Sequence, residues 1–213
     1  VAQGALRQGV LYDLLHREQP TTDLRSSTVE RLMDKFGVDS KQANRVEQTA
    51  LALYSQIQPL AGMQPQRERL ERKLRWAARL HEIGTHISHS NYHRHGAYIL
   101  DNAEAPGFAL PELHHLSLMV LGHRGKLHKL DTDLSDFLFS TPLLALRLAV
   151  ILCHARRKPA LDGVKFSRQL DPLRFTVELP AYWKQDYPQT VFLLQQEQEA
   201  WDKVDITLKL KMV

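Results

Sequence analysis

Apolar residues recur at helical spacing through most of the chain and switch to strict alternation near its end. Leu70, Leu74 and Ala77 stand at i, i+4 and i+7, the inward stripe of an α-helix. His81 lies about three turns beyond Leu70 on that stripe and is expected to point inward, with Gly84 as the C-terminal stop. Leu6, Val10 and Leu14 mark an earlier helix over residues 2–17, followed by a polar linker from Arg17 to Arg25. Ser27 and Glu30 form a capping box opening a helix that buries Val29, Leu32, Met33 and Phe36 and stops at Gly37. Asp39 caps the next, whose stripe is Val46, Ala50, Leu53 and Ile57. Gln42 is expected to complete that cap, and Pro59 to Pro65 to form a loop.

Beyond the Arg67 helix the sequence predicts a loop carrying His86, His89, His93 and His95 into a short helix over 97–102. Pro111 opens another helix, striped by Leu113, Leu116 and Val120 and extended by His123. A short helix is expected from Asp133 to Phe139, and a last one from Pro142 with Leu144, Leu148 and Ile151 inward. At Pro159 the period changes. Phe175, Val177 and Leu179 alternate with polar residues, as do Ile206, Leu208, Leu210 and Met212, the pattern of half-buried strands. With a strand at Val164 to Arg168 and a helix from Pro188 to Lys203, the end of the chain reads β-β-α-β. The fold class is mainly α: a helical bundle followed by a small α+β (ββαβ) subdomain.

Composition narrows the setting. The single cysteine, Cys153, excludes an internal disulfide framework and points to a reducing cytoplasm. No apolar run approaches the length of a membrane span, so no membrane partner is expected. A net charge of +4, before counting 11 histidines, invites a polyanionic partner. The cations cluster: Arg67, Arg69, Arg72, Lys73, Arg75 and Arg79 on one helix, Arg124, Lys126 and Lys129 after another, and Arg156-Arg157-Lys158 after a third. Each cluster reads equally as a solvated helix face. His81 and Glu82, with histidines close by, suit a metal or phosphate site or simply a hydrogen-bonded core histidine beside a polar loop.

His81-Glu82-Ile83-Gly84, followed by Tyr92-His93-Arg94-His95-Gly96-Ala97-Tyr98-Ile99-Leu100, resembles the core of the HD phosphohydrolase superfamily. Those helical proteins bind a divalent metal through an early His, a His-Asp pair and a late Asp. Here Glu82 stands at the Asp of the pair, Gln42 at the early His and Val150 at the late Asp, while His93 and His123 fall near positions of extra metal-binding histidines in some members. A closer resemblance is to the C-terminal region of the exopolyphosphatase / guanosine pentaphosphate phosphohydrolase family, which carries such an HD-like domain. It is borne by Gly4-Ala5-Leu6-Arg7-Gln8-Gly9-Val10-Leu11-Tyr12-Asp13, Leu80 to Gly84, Ser88-His89-Ser90, Tyr92-His93 and Leu146 to Arg157.

The resemblance implies three parts: a closing helix of a catalytic domain over 1–18, an HD-like helical domain over 19–158, and the α+β subdomain over 159–213. Val1 in place of an initiator Met agrees with a piece of a longer protein. The catalytic core would lie upstream, use magnesium, and remove terminal phosphates from inorganic polyphosphate or hydrolyse pppGpp. The present region, alone, would be inactive and cofactor-free, binding polyphosphate and supporting a homodimer. The phosphate contacts expected are His93, Arg94, His95, His123, Arg124, Lys126, Arg156 and Arg157, with the histidines gaining charge as pH falls toward their ordinary pKa near 6.5. His81 and Glu82 would be a degenerate metal site. Two rivals stand beside this reading. One is a working HD-type phosphohydrolase in which a metal activates water, with Gln42 a poor ligand and Val150 none. The other is nucleic-acid binding through the basic helices, which lacks any recognition module and is not expected.

Overall fold

The computed structural model describes residues 23–213; the helix expected over 2–17 lies outside the described residues. Six α-helices come first: α1 (Leu24–Lys35), α2 (Ser40–Ser55), α3 (Gln64–Leu80), α4 (Tyr92–Asp101), α5 (Leu110–Gly122) and α6 (Phe137–Leu152). Then follow β1 (Lys165–Leu170), β2 (Leu173–Leu179), the single turn α7 (Trp183–Asp186), α8 (Pro188–Asp202) and β3 (Thr207–Met212). This is the mainly α bundle with a ββαβ end that the two hydrophobic periods predict.

The bundle is wrapped around α6. Every residue from Phe139 to Ala149 is buried, so this helix is enclosed on all sides, as its near-continuous apolar run dictates. Its amino end is capped by Asp136, whose carboxylate accepts from the Leu138 N–H. Pro142 therefore sits inside the helix, and the short helix expected at 133–139 is replaced by this cap and the first turn of α6. The proline lies in the second turn and gives up one backbone bond, to the Leu138 carbonyl, in a helix that packing encloses on all sides.

In the sheet, β2 is central. It pairs antiparallel with β1, Phe166 opposite Val177, and parallel with β3, Phe175 opposite Leu208. The parallel pair needs a crossover, which α8 supplies while covering one face. Phe175 stacks with Phe166 and meets Trp201 of α8 edge-on, so the alternating strand residues become the subdomain's core. The subdomain shares a continuous apolar core with the bundle, and a buried polar cluster bolts the two together. Arg147 of α6 donates from Nε and Nη2 to the Glu197 carboxylate of α8, at 2.5 and 2.7 Å, and Trp201 Nε1 donates to the same group at 2.6 Å.

Several local expectations change. Helix α1 begins before the Ser27–Glu30 box, because Asp23 caps it by accepting from the Arg25 N–H. Asp39 does cap α2, accepting from Lys41 and Gln42, but the Gln42 side chain turns inward and donates to the Cys153 carbonyl at 3.0 Å. Gln42 thus ties α2 to the end of α6 instead of completing a cap. Helix α3 takes in Pro65, at its amino end, instead of starting after it. Gly84 lies in a short 3-10 turn (Ile83–His86), where a side chain would come within 1.9 Å of the Tyr92 carbonyl oxygen. Its role is close approach of two backbones and not a helix stop.

Candidate functional site

The Gly84 contact sets where α4 starts, and with it the site. Asn91 takes a left-handed conformation (φ 54°) and α4 opens at Tyr92, so His93 and His95 ride on a helix where a loop was expected. Helix α5 ends at Gly122, and the following residues His123 to Lys126 come back against α4. The Arg124 guanidinium lies 4.7 Å over the Tyr92 ring, and the His93 ring packs against Gly125. His81 meets His123 edge-on at 5.5 Å, and His93 meets it at 6.4 Å.

These histidines do not serve as cations. His81 is buried, as its place on the stripe predicts, and its Nδ1 lies 2.7 Å from the Ala78 carbonyl. His123 is buried too, with Nδ1 2.5 Å from the Val120 carbonyl and Nε2 unpartnered. Burial pushes its pKa well below the ordinary 6.5, helped by His81 beside it. His93 is half-buried and pushed down to about 4, first by burial and then by the charge of Arg124. The expectation that histidines here gain charge near pH 6.5 is therefore corrected for His93 and His123: burial first, and then Arg124 beside His93 and His81 beside His123, disfavour the charged form.

The residues compared with a metal set do not fit one. Glu82 Oε1 accepts from Arg156 Nη2 at 3.0 Å, and the same guanidinium reaches Asp39 Oδ2 at 2.8 Å. Gln42 is committed to Cys153, and Val150 offers no donor atom. Among the described residues no group of three or more His, Cys, Asp or Glu side chains is placed to hold a metal ion. A guanidinium supplies the positive charge at Glu82.

The remaining cations face a seam where the bundle meets α8. Three clefts adjoin along it. The first, about 310 Å³, is lined by Lys126, His128 and Lys203. The second, about 370 Å³, is lined by Tyr92, Arg124 and His154, and shares Gly125, Gln196 and Ala200 with the first. The third, about 470 Å³, holds Arg157 and Lys158 and shares His154 with the second. Among the described residues none of Arg124, Lys126, Arg157, Lys158 and Lys203 has a carboxylate within ion-pair distance. Glu197 in the second cleft is spent on Arg147; among the described residues Asp186 in the third is the one carboxylate lining the seam without such a partner.

Of the eight expected phosphate contacts, the structure brings Arg124, Lys126 and Arg157 to this seam as open cations. His123 lines the second cleft as a neutral, sealed group. Arg156 is engaged by two carboxylates, and His93 packs behind Gly125. Arg94 and His95 lie on α4 and line none of the three clefts. Tyr92, His154, Lys158 and Lys203 were missed as site residues. Lys158 belongs to the basic run Arg156-Arg157-Lys158, whereas Lys203 joins the seam only because α8 folds back on the bundle.

The profile of the Ppx/GppA phosphatase family, domain III, matches residues 24–198. The chain belongs to the Ppx/GppA family. It is 35% identical over 216 residues to a guanosine-5'-triphosphate,3'-diphosphate pyrophosphatase of Pseudoalteromonas translucida, covering 96% of this chain and 41% of that protein. Proteins of the same name from Aeromonas hydrophila and Photobacterium profundum are 33% and 32% identical, over 88% and 92% of this chain and 38% and 39% of theirs. The chain thus spans about two fifths of the length of the relatives it matches. In this Ppx/GppA domain no helix among the described residues is long and apolar enough to cross a membrane.

Proposed function

We propose that this chain is the accessory region of a magnesium-dependent phosphoanhydride hydrolase, and that its basic seam holds the phosphate chain of the substrate while a catalytic domain elsewhere cuts it. The observation that carries the reading is the run of three adjoining clefts lined by cations without carboxylate partners. A phosphate chain is a flexible row of closely spaced negative charges, so it is held by several separated cations better than by one enclosed pocket. Arg124 and Arg157 can engage phosphate oxygens in pairs, and Lys126, Lys158 and Lys203 act as point charges.

The relatives' name directs the parent's activity to guanosine 5'-triphosphate 3'-diphosphate, and the resemblance to exopolyphosphatases adds inorganic polyphosphate. Both present adjacent phosphates; only a long chain would engage all three clefts at once. The seam therefore favours polyphosphate as the ligand of this region, and the family resemblance adds a homodimer of the parent as the working unit.

The test is a length series. In the full-length parent, removing residues 24–213 or neutralising the seam should raise KM for long polyphosphate far more than for short oligomers, with kcat on short oligomers preserved. An equal effect at every length would overturn the lane. On the chain itself, affinity for long polyphosphate should fall steeply with salt, as counterion release requires.

A further inference from the structure

Away from the seam, and sharing no lining residue with its clefts, a narrow groove opens where α2 ends, α3 and α6 begin and β1 passes. Its walls are apolar, from Ile57, Leu60, Met63, Leu70 and Leu138, and Leu60 is 39% exposed. Two guanidinium groups flank it. Arg67 stacks over the Tyr54 ring at 5.4 Å and donates to the Ser55 carbonyl at 3.2 Å and to the Ile57 carbonyl. Arg168 stacks over the Phe137 ring at 4.8 Å and donates to Thr141 Oγ1 at 3.1 Å.

Neither arginine has a carboxylate within ion-pair distance among the described residues. Glu71, one turn beyond Arg67, bears on the Tyr54 hydroxyl but lies within ion-pair distance of neither. The two like charges also feel each other: burial pushes the Arg168 pKa down, and Arg67 pushes it further. Backbone carbonyls, the Thr141 hydroxyl and aromatic faces thus hold two cations in fixed positions beside an apolar slot, with no carboxylate at ion-pair distance among the described residues. Arg67 offsets part of its charge by capping the α2 carbonyls, which also locks its plane.

We propose that this groove is a docking slot for a protein segment carrying one bulky aliphatic residue flanked by carboxylates. Size and charge select that occupant. The slot holds about 30 Å³, room for the tip of one aliphatic side chain and far below the 310 to 470 Å³ of the seam clefts. Ligand pockets for free small molecules run to several hundred Å³. A side chain delivered by a peptide needs no such volume, because its backbone stays outside with the flanking carboxylates on Arg67 and Arg168. This role is independent of phosphate binding in the seam.

The test uses the full chain and a fluorescein-labelled peptide, Gly-Asp-Leu-Asp-Gly, read by polarisation and by the Met63 methyl signal in NMR. Binding should shift that methyl. It should weaken about tenfold when the acids become Asn, when the Leu becomes Gly, and in Arg168→Gln, each step removing one kind of contact. Should Arg168→Gln lose its fold by circular dichroism, Leu60→Asp at the exposed rim gives the same reading by repelling the acids. Polyphosphate affinity should stay unchanged in both variants, which separates this slot from the seam. Equal binding by all three peptides, or an unmoved Met63 methyl at saturation, would overturn the proposal.

Discussion

The polar nest beneath His81 and the seam along α8 meet at Tyr92, yet their chemistry is opposite. In the nest these polar groups are matched from within the fold: Glu82 and Asp39 by Arg156, Gln42 by a backbone carbonyl, His81 by Ala78. In the seam the cations have no such partners, and the one buried carboxylate, Glu197, is consumed by Arg147. The nest holds the residue types that suggest a catalytic centre, and the seam holds those that suggest an ordinary wet surface. Residue type therefore says less about availability for a ligand than the tally of partners does.

The largest effect that would break this comparison is at the bolt between the two halves. Glu197→Ala leaves Arg147 buried without a counter-charge and should cost about 3–5 kcal/mol in urea unfolding, whereas Arg147→Met with Glu197→Leu should recover most of it. Little loss in the single variant would mean that the seam rests on something else. Next in size, Arg124→Ala, Lys126→Ala and Arg157→Ala combined should reduce the slope of log affinity for polyphosphate against log salt by about 2, if each cation takes one phosphate. Arg94→Ala, outside the clefts, should change the affinity less than twofold. A comparable loss from Arg94 would dissolve the distinction between seam and surface.

A third, smaller effect concerns pH. His93 and His115 titrate at about 4 in the fold and near 6.5 when unfolded, and His123 is likewise depressed. Between these values the unfolded chain binds more protons, so stability is complete above about pH 6.5 and declines as pH falls toward 4. Replacing His93 by Gln should flatten that decline in thermal unfolding measured from pH 7 to 4.5. An unchanged or steeper decline would mean that His93 takes up its proton in the fold at least as readily as in the unfolded chain. The smallest effect belongs to the nest's edge: Arg156→Gln breaks an exposed ion pair with Asp39 and one with the largely buried Glu82, and should cost about 1 kcal/mol. Metal titration of that variant sharpens the contrast, because a tight divalent site appearing at Glu82 would show that the guanidinium had been standing in for a cation.

Much of this was legible in order. The stripes Val46–Ala50–Leu53 and Leu70–Leu74–Ala77, the inward His81, and the alternation of Phe175, Val177 and Leu179 follow from period alone. Spacing alone leaves His93 and His95 in the loop with His89 because histidine has low helical preference, and nothing local reveals that Gly84 must meet the Tyr92 carbonyl. Arg156 read as an open phosphate ligand; its pairing with Asp39 and Glu82 joins residues far apart in the chain.

What the sequence by itself determined is the set of elements, their buried faces and the family, because periodicity and motif are properties of neighbours along the chain. What only the tertiary structure decided is which charges remain free. That depends on partners brought in from distant segments, as α8 brings Glu197 to Arg147 and Lys203 to Lys126, and an ion pair of this kind leaves no local trace.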